Sequence, residues 1–176
     1  MTEQPLSPPP FHILPPTAPS SPIILSSPHS GTYYPTAFLA AARLDRHTLR
    51  RSEDAFVHEL FLDGPALGAP LLRAVYARAY LDLNREPYEL DPAMFADPLP
   101  GYARRQSERI AAGLGALPRV VGQGLDIYAG KLRFAEAQRR IGEVHVPFHA
   151  ALAGLVAETL DCHGVSVLID CHSMPT

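Results

Sequence analysis

The sequence predicts an α/β domain with a ligand site at one edge of its sheet, and three observations carry that expectation. Short apolar, strand-like runs alternate with stretches of helical periodicity. Three polar clusters each follow such a run: Pro28-His29-Ser30-Gly31, Asp82-Leu83-Asn84-Arg85 and Asp170-Cys171-His172-Ser173. In α/β sheets, ligands collect beyond the carboxyl ends of the strands, so these clusters are where chemistry is expected.

The elements follow in order. Eight of the 19 prolines fall in the first 22 residues. Proline removes backbone donors and favours extended chain, so residues 1–22 read as an extended or mobile arm and 23–176 as the domain. Ile23-Ile24-Leu25 is a buried strand feeding the first polar cluster. Thr36 to Leu44 is alanine-rich and helical in character. Ser52, followed by Glu53 and Asp54, has the form of a helix start: a capping hydroxyl with acids in the first turn. Leu71 to Tyr76 and Ala79 to Leu83 read as two strands, the second ending in the Asn84-Arg85 cluster. Residues 88–130 are rich in Pro and Gly and weakly periodic, an irregular excursion of the kind that shapes sites. From Arg133 to Cys162 the pattern is helical, with a break expected at Pro147 and a stop at Gly164. Val165 to Ile169, apolar but for Ser166, suits a central strand.

Composition narrows the function classes. An apolar fraction of 47 % over 176 residues builds one sizeable core. A net charge of -3 without a basic run argues against nucleic acid as a partner. No apolar run approaches the roughly 18 residues of a membrane helix, and the N-terminus has no signal-peptide pattern. Cys162 and Cys171 form no CxxC pair, so a reduced, cytoplasmic protein is expected.

His29 and His172 each sit just past a strand. One such histidine ordinarily satisfies loop hydrogen bonds; two in matching contexts point to a metal, for which neutral imidazole is the commonest ligand. A catalytic zinc takes three protein ligands, often two His and a carboxylate, and keeps a position open to water. Asp54 is the choice for the third ligand and Glu53 its competitor, the two lying about 100° apart if helical. Arg85 offers a planar fork for a substrate carboxylate, Asn84 an adjoining amide, and Asp82 support for a ligand or for Arg85. A surface salt bridge of Arg85 to Glu86, Glu89 or Asp91 is the competing explanation. His145 and His149 are four apart, but the Glu of HExxH is missing and Pro147 intervenes, so they are not the metal pair. His149 alone is expected to reach the pocket as a donor. Cys171 and His172 point to opposite faces as strand neighbours, and Ser30 and Ser173 lack a G-x-S-x-G elbow, which sets nucleophilic catalysis aside.

The series Pro28-His29-Ser30-Gly31, Ser52-Glu53-Asp54, Asp82-Leu83-Asn84-Arg85-Glu86-Pro87, Pro147-Phe148-His149 and Asp170-Cys171-His172-Ser173-Met174 resembles the N-formylglutamate amidohydrolase family in order and spacing. The Asn-Arg pair is also similar to one in aspartoacylases and zinc carboxypeptidases. The resemblance covers about residues 23–176. It implies a three-layer, phosphorylase/hydrolase-like sandwich around a mixed, mainly parallel sheet. It implies Zn2+ held by His29, Asp54 and His172, and a substrate held by Arg85 with Asn84 and His149. The implied reaction is hydrolysis of N-formyl-L-glutamate, a small acidic N-acyl amino acid, to formate and glutamate in histidine breakdown. Family members look longer by roughly a hundred residues. The chain therefore reads as C-terminally truncated, with the general base expected beyond Thr176 and Glu53 the one candidate within it. Two alternatives stand beside this reading: a non-catalytic remnant acting as a binding domain, and an amidohydrolase with another acyl group.

Overall fold

A computed structural model describes residues 7–18, 20–122 and 124–174. Its main sheet has four strands: β1 (Phe11–Leu14), β2 (Ile23–Ser27), β3 (Leu71–Ala74) and β6 (Val167–Asp170), in the spatial order β1-β3-β2-β6. β2 runs parallel to both β3 and β6, and β1 is antiparallel to β3, so the sheet is mixed and mainly parallel. A short hairpin, β4 (Val120–Val121) and β5 (Leu125–Asp126), lies apart within the irregular excursion. Among the described residues five α-helices accompany the strands: α1 (Thr36–Ala41), α2 (Arg46–Leu49), α3 (Glu108–Ala111), α4 (Phe134–Arg140) and α5 (Val146–His163).

Alternation along β3 explains how the sheet is covered. Leu71 packs with Leu25, Val57, Ala69 and Cys171 on one face. Leu72 and Ala74 join the larger core with Phe38, Tyr80, Leu83 and Phe148 on the other. Successive strand side chains point to opposite faces, so one strand serves both clusters. Within residues 1–22, Phe11–Leu14 form β1, which is hydrogen-bonded into the sheet beside β3.

Three expectations change. Ser52 starts no helix: its hydroxyl donates to the Leu49 carbonyl at 3.0 Å and closes a 3-10 turn, Arg50–Ser52. Glu53 is extended, with φ −72 and ψ 142, so Asp54 stands in a loop. Ala79 to Leu83 is a buried turn rather than a strand. Its backbone is satisfied without a ladder, by the Asp82 N–H donating to the Ala116 carbonyl at 2.8 Å and by the Arg140 guanidinium donating to the Tyr80 carbonyl at 2.9 Å. An apolar run reads alike in either setting. The break expected at Pro147 takes the form of a π-helical segment, Ile141–His145, just upstream. Proline brings no N–H, and the wider turn absorbs the missing bond. Val165 to Ile169 supplies the strand β6, which stands at one edge of the sheet among the described residues, with Val167, Leu168 and Ile169 each more than two-fifths exposed. Gly164 does end α5, at φ 70.

Candidate metal centre

β2 and β6 are parallel neighbours in register, Ser26 opposite Asp170, so their carboxyl ends emerge side by side. The Cys171 N–H donates to the Ser26 carbonyl at 2.7 Å and extends that pairing into the loops. His29 and His172 are thereby delivered to one place, with ring centroids 4.8 Å apart. Gly31 lets the chain turn there: a Cβ at this position would lie 2.2 Å from the Tyr76 carbonyl oxygen. Asp54 reaches the same point from its loop, its N–H donating to the His29 carbonyl at 3.0 Å.

His29, Asp54 and His172 form a group able to hold a metal ion, with one ligand atom from each lying within 4.8 Å of the others. Asp54 Oδ2 lies 3.4 Å from His29 Nδ1 and 2.9 Å from His172 Nδ1. Tetrahedral zinc with bonds of about 2.0–2.1 Å separates its ligand atoms by about 3.3 Å, between those two distances. The outer nitrogens are already committed. His29 Nε2 donates to Asp82 Oδ1 at 2.6 Å, and His172 Nε2 donates to Asp170 Oδ2 at 2.7 Å. With those protons on Nε2, both Nδ1 atoms face the Asp54 carboxylate and are the positions that would turn lone pairs to a bound metal. His29 Nδ1 is buried and has no hydrogen-bond partner. Three electron-rich atoms converging in a buried place call for a cation, and the donor set fits one.

The charges around the group are balanced by contact. Burial pushes the His29 pKa down, but the neighbouring Asp54 and Asp82 carboxylates outweigh it, and the net shift is upward. Burial would raise the Asp54 pKa; its contacts with His29, His172 and Ser173 instead hold it well below the usual carboxylate range. Asp82 is only 1 % exposed and is likewise held low, against its burial, by His29, Arg78 and Arg85. Arg78 Nε donates to Asp82 Oδ2 at 3.0 Å.

Comparison with known proteins decides the family. A family model described as N-formylglutamate amidohydrolase matches residues 21–176. The chain belongs to the N-formylglutamate amidohydrolase family. It is 28 % identical over 155 residues to an N-formylglutamate deformylase of Pseudomonas aeruginosa, covering 87 % of this chain and 52 % of that protein. It superposes on the crystal structure of an N-formylglutamate amidohydrolase from Ralstonia eutropha with a TM-score of 0.88 and 36 % identity, over 94 % of this chain and 58 % of that one. A gene product of Agrobacterium tumefaciens shares the fold at a TM-score of 0.65 and 19 % identity, over 94 % and 57 % of the two chains. The chain thus spans little more than half the length of these relatives.

In this N-formylglutamate amidohydrolase family member, the remaining candidates are placed as follows. Asn84 Nδ2 donates to Asp170 Oδ2 at 3.0 Å and lies 3.1 Å from His172 Nε2, so it borders the metal group. Arg85 and His149 line a cavity of about 540 Å³ that also takes in Asn84, Glu89, Arg109 and His145. Arg85 makes no close surface ion pair: its nearest carboxylate oxygen is Asp82 Oδ2 at 4.0 Å, while its Nε donates to the Leu114 carbonyl at 3.2 Å. Glu53 does not join the metal group. Its oxygens accept from the Tyr34 hydroxyl at 2.6 Å and from Arg50 Nε at 3.0 Å, and its side chain is fully buried.

Three contributors escaped the sequence reading. Asp170 orients His172 from two residues upstream, a signal present in the Asp-x-His spacing. His145 was set aside as a metal ligand, yet its Nε2 donates to the Arg85 carbonyl at 2.9 Å. Next to it, stacked at 4.2 Å, His149 donates to the Leu83 carbonyl at 2.8 Å. Arg109 comes from the irregular excursion, where no spacing betrays it. Among the described residues no helix is long and apolar enough to cross a membrane.

Proposed function

We propose that the chain hydrolyses the formamide bond of an acidic N-acyl amino acid, N-formyl-L-glutamate foremost, with zinc held by His29, Asp54 and His172. The observation that carries this reading is the convergence of two imidazole lone pairs and a carboxylate beside a cavity holding Asn84 and Arg85. The names of the relatives support the substrate. Two histidines and one carboxylate are a donor set that suits zinc. Bound zinc supplies Lewis acidity to the scissile carbonyl and activates water near neutral pH.

The other tasks fall to the chain itself. Asp82 and Asp170 fix the tautomers and ring orientations of His29 and His172. Arg85 binds the substrate carboxylate, and Asn84 orients the groups beside the metal position. His149, through the Leu83 carbonyl, holds the segment that carries both. Proton delivery to the leaving amine calls for a carboxylate. Glu53 has both oxygens engaged, so that carrier is a group other than Glu53. Apolar contacts on both faces of the sheet support the three-layer sandwich implied by the family. The two free cysteines suit a reducing, cytoplasmic setting.

The engagement of Glu53 favours a second reading, a domain that binds metal and acidic ligand without turnover. Formate release separates the two. Zinc-loaded protein is expected to release formate from N-formyl-L-glutamate; tight ligand binding with no formate supports the second reading. Hydrolysis of N-acetyl-L-glutamate instead would assign a different acyl group.

A further inference from the structure

The cavity beside the metal group holds two guanidiniums, and so far only one has a task. Arg85 follows Asn84, whose amide lies 3.1 Å from His172 Nε2, so the segment that carries Arg85 borders the metal position, while the guanidinium is held by the Asn84 and Leu114 carbonyls. Arg109 enters from a different element, α3. Its setting is built rather than incidental. Ser107 caps α3, its hydroxyl oxygen accepting the Ile110 N–H at 3.0 Å. The same hydroxyl donates to the buried Glu89 carboxylate, which lines the cavity. Glu89 is thereby turned to Ser107, and α3 is fixed over the cavity.

Arg109 makes no ion pair and no side-chain hydrogen bond among the described residues. Glu86 also lines the cavity but stands in no ion pair with it. Burial lowers the Arg85 pKa, the Asp82 charge opposes that shift, and the Arg109 charge adds to it. Like charges in one cavity are costly unless an anion joins them. A cation without a carboxylate partner among the described residues, lining the same cavity of about 540 Å³ as Arg85, is the arrangement a dicarboxylate completes.

We infer that Arg109 is a specificity residue that binds the side-chain carboxylate of the substrate, while Arg85 takes the α-carboxylate. This rests on the reading of the site as one for an acidic N-acyl amino acid. The assignment of the two carboxylates follows from bond connectivity. The scissile amide nitrogen and the α-carboxylate share one carbon, so the α-carboxylate must lie nearest the metal position, where Asn84 and Arg85 are. The side-chain carboxylate is two bonds further away and is met by a cation on a separate element. Arg109 is that cation, and a glutamate-length side chain is preferred to its uncharged isosteres.

The test is binding of L-glutamate and L-glutamine, neither of which carries a formamide to hydrolyse, to the full zinc-loaded chain by calorimetry. Wild type is expected to prefer glutamate. Arg109→Gln is expected to bind glutamate about tenfold to a hundredfold more weakly and to leave glutamine unchanged, erasing the preference. Arg85→Gln is expected to weaken both ligands by similar factors. Arg109 is exposed, so Arg109→Gln should melt with wild type, and Arg109→Lys should keep part of the preference. If Arg109→Gln keeps the full preference, the role of Arg109 is overturned while the acidic-substrate reading stands. If wild type shows no preference for glutamate, the acidic-substrate reading itself is overturned, and the role of Arg109 with it.

Discussion

At the scale of single residues, the site depends on which nitrogen of each histidine is free. Asp82 takes the Nε2 proton of His29 and leaves Nδ1 bare, buried and without a partner. Asp82→Asn keeps the shape but weakens that control, and zinc affinity is expected to fall about tenfold to a hundredfold. A competition titration against a chromophoric chelator measures it; unchanged affinity would remove Asp82 from its supporting role. Cys171 is buried, and burial together with the Asp170 charge pushes its thiol up to about 11. Alkylation at pH 8 is therefore expected to label the exposed Cys162 in the native protein and both thiols only after unfolding. Rapid native labelling of Cys171 would reopen a cysteine nucleophile. These residues were the most legible part of the sequence. His29 and His172 were visible because each follows an apolar run, and such runs end where sheets bind ligands. The identity of the acid was not fixed by spacing: Glu53 and Asp54 are neighbours, and only the turn at Ser52 sends one to Tyr34 and Arg50 and the other to the histidines.

At the scale of elements, α4, the π segment and α5 do more than cover the sheet. Arg140, in the last turn of α4, is 1 % exposed. Its guanidinium lies over the rings of Tyr80, Phe38 and Tyr128 at 4.3, 5.3 and 5.8 Å and donates to Glu136 Oε1 at 2.8 Å. Through the Tyr80 carbonyl it also satisfies the buried turn that leads to Asp82. Arg140→Ala is expected to cost about 3–5 kcal/mol in chemical denaturation, and a loss within the scatter of surface substitutions would contradict this role. Glu136 adds a pH dependence. Burial raises its pKa, but hydrogen bonds from Arg139 and Arg140 outweigh it and lower the folded value. A carboxyl depressed on folding contributes stability above its unfolded pKa, roughly 4.3, and loses it as pH falls through the folded value. Melting temperature is therefore expected to drop below about pH 4.3 in wild type and to drop less steeply in Glu136→Gln. This layer was only half readable. Helical periodicity marked residues 133–162, but the π segment that aims His145 at the Arg85 carbonyl has no sequence signature beyond Pro147. Likewise, Ala79 to Leu83 has strand-like composition because it is buried, and burial alone does not reveal that Arg140 and Ala116, rather than a neighbouring strand, complete its hydrogen bonds.

At the scale of the whole molecule, the sheet sets the site by placing β2 and β6 side by side in parallel. The α/β class and the position of the site at the carboxyl ends of the strands follow from the sequence, because alternating patterns and polar clusters are local. The order of strands is not local: among the described residues β6 stands beside β2 at one edge of the sheet. The metal group ties this strand to the body of the fold, since His172 and Ser173 bind Asp54 at 2.9 and 2.8 Å. Zinc that binds the folded chain alone must therefore stabilise it, by about 2.7 kcal/mol at a hundredfold excess over its dissociation constant. The measurement that bears most directly on the proposed hydrolase is elemental analysis of the purified protein and of His29→Ala, Asp54→Ala and His172→Ala, after equilibration with zinc and removal of the excess. Wild type is predicted to retain about one zinc per chain and each variant to retain little or none. Full zinc in all three variants would place the metal elsewhere and contradict the assignment of His29, Asp54 and His172.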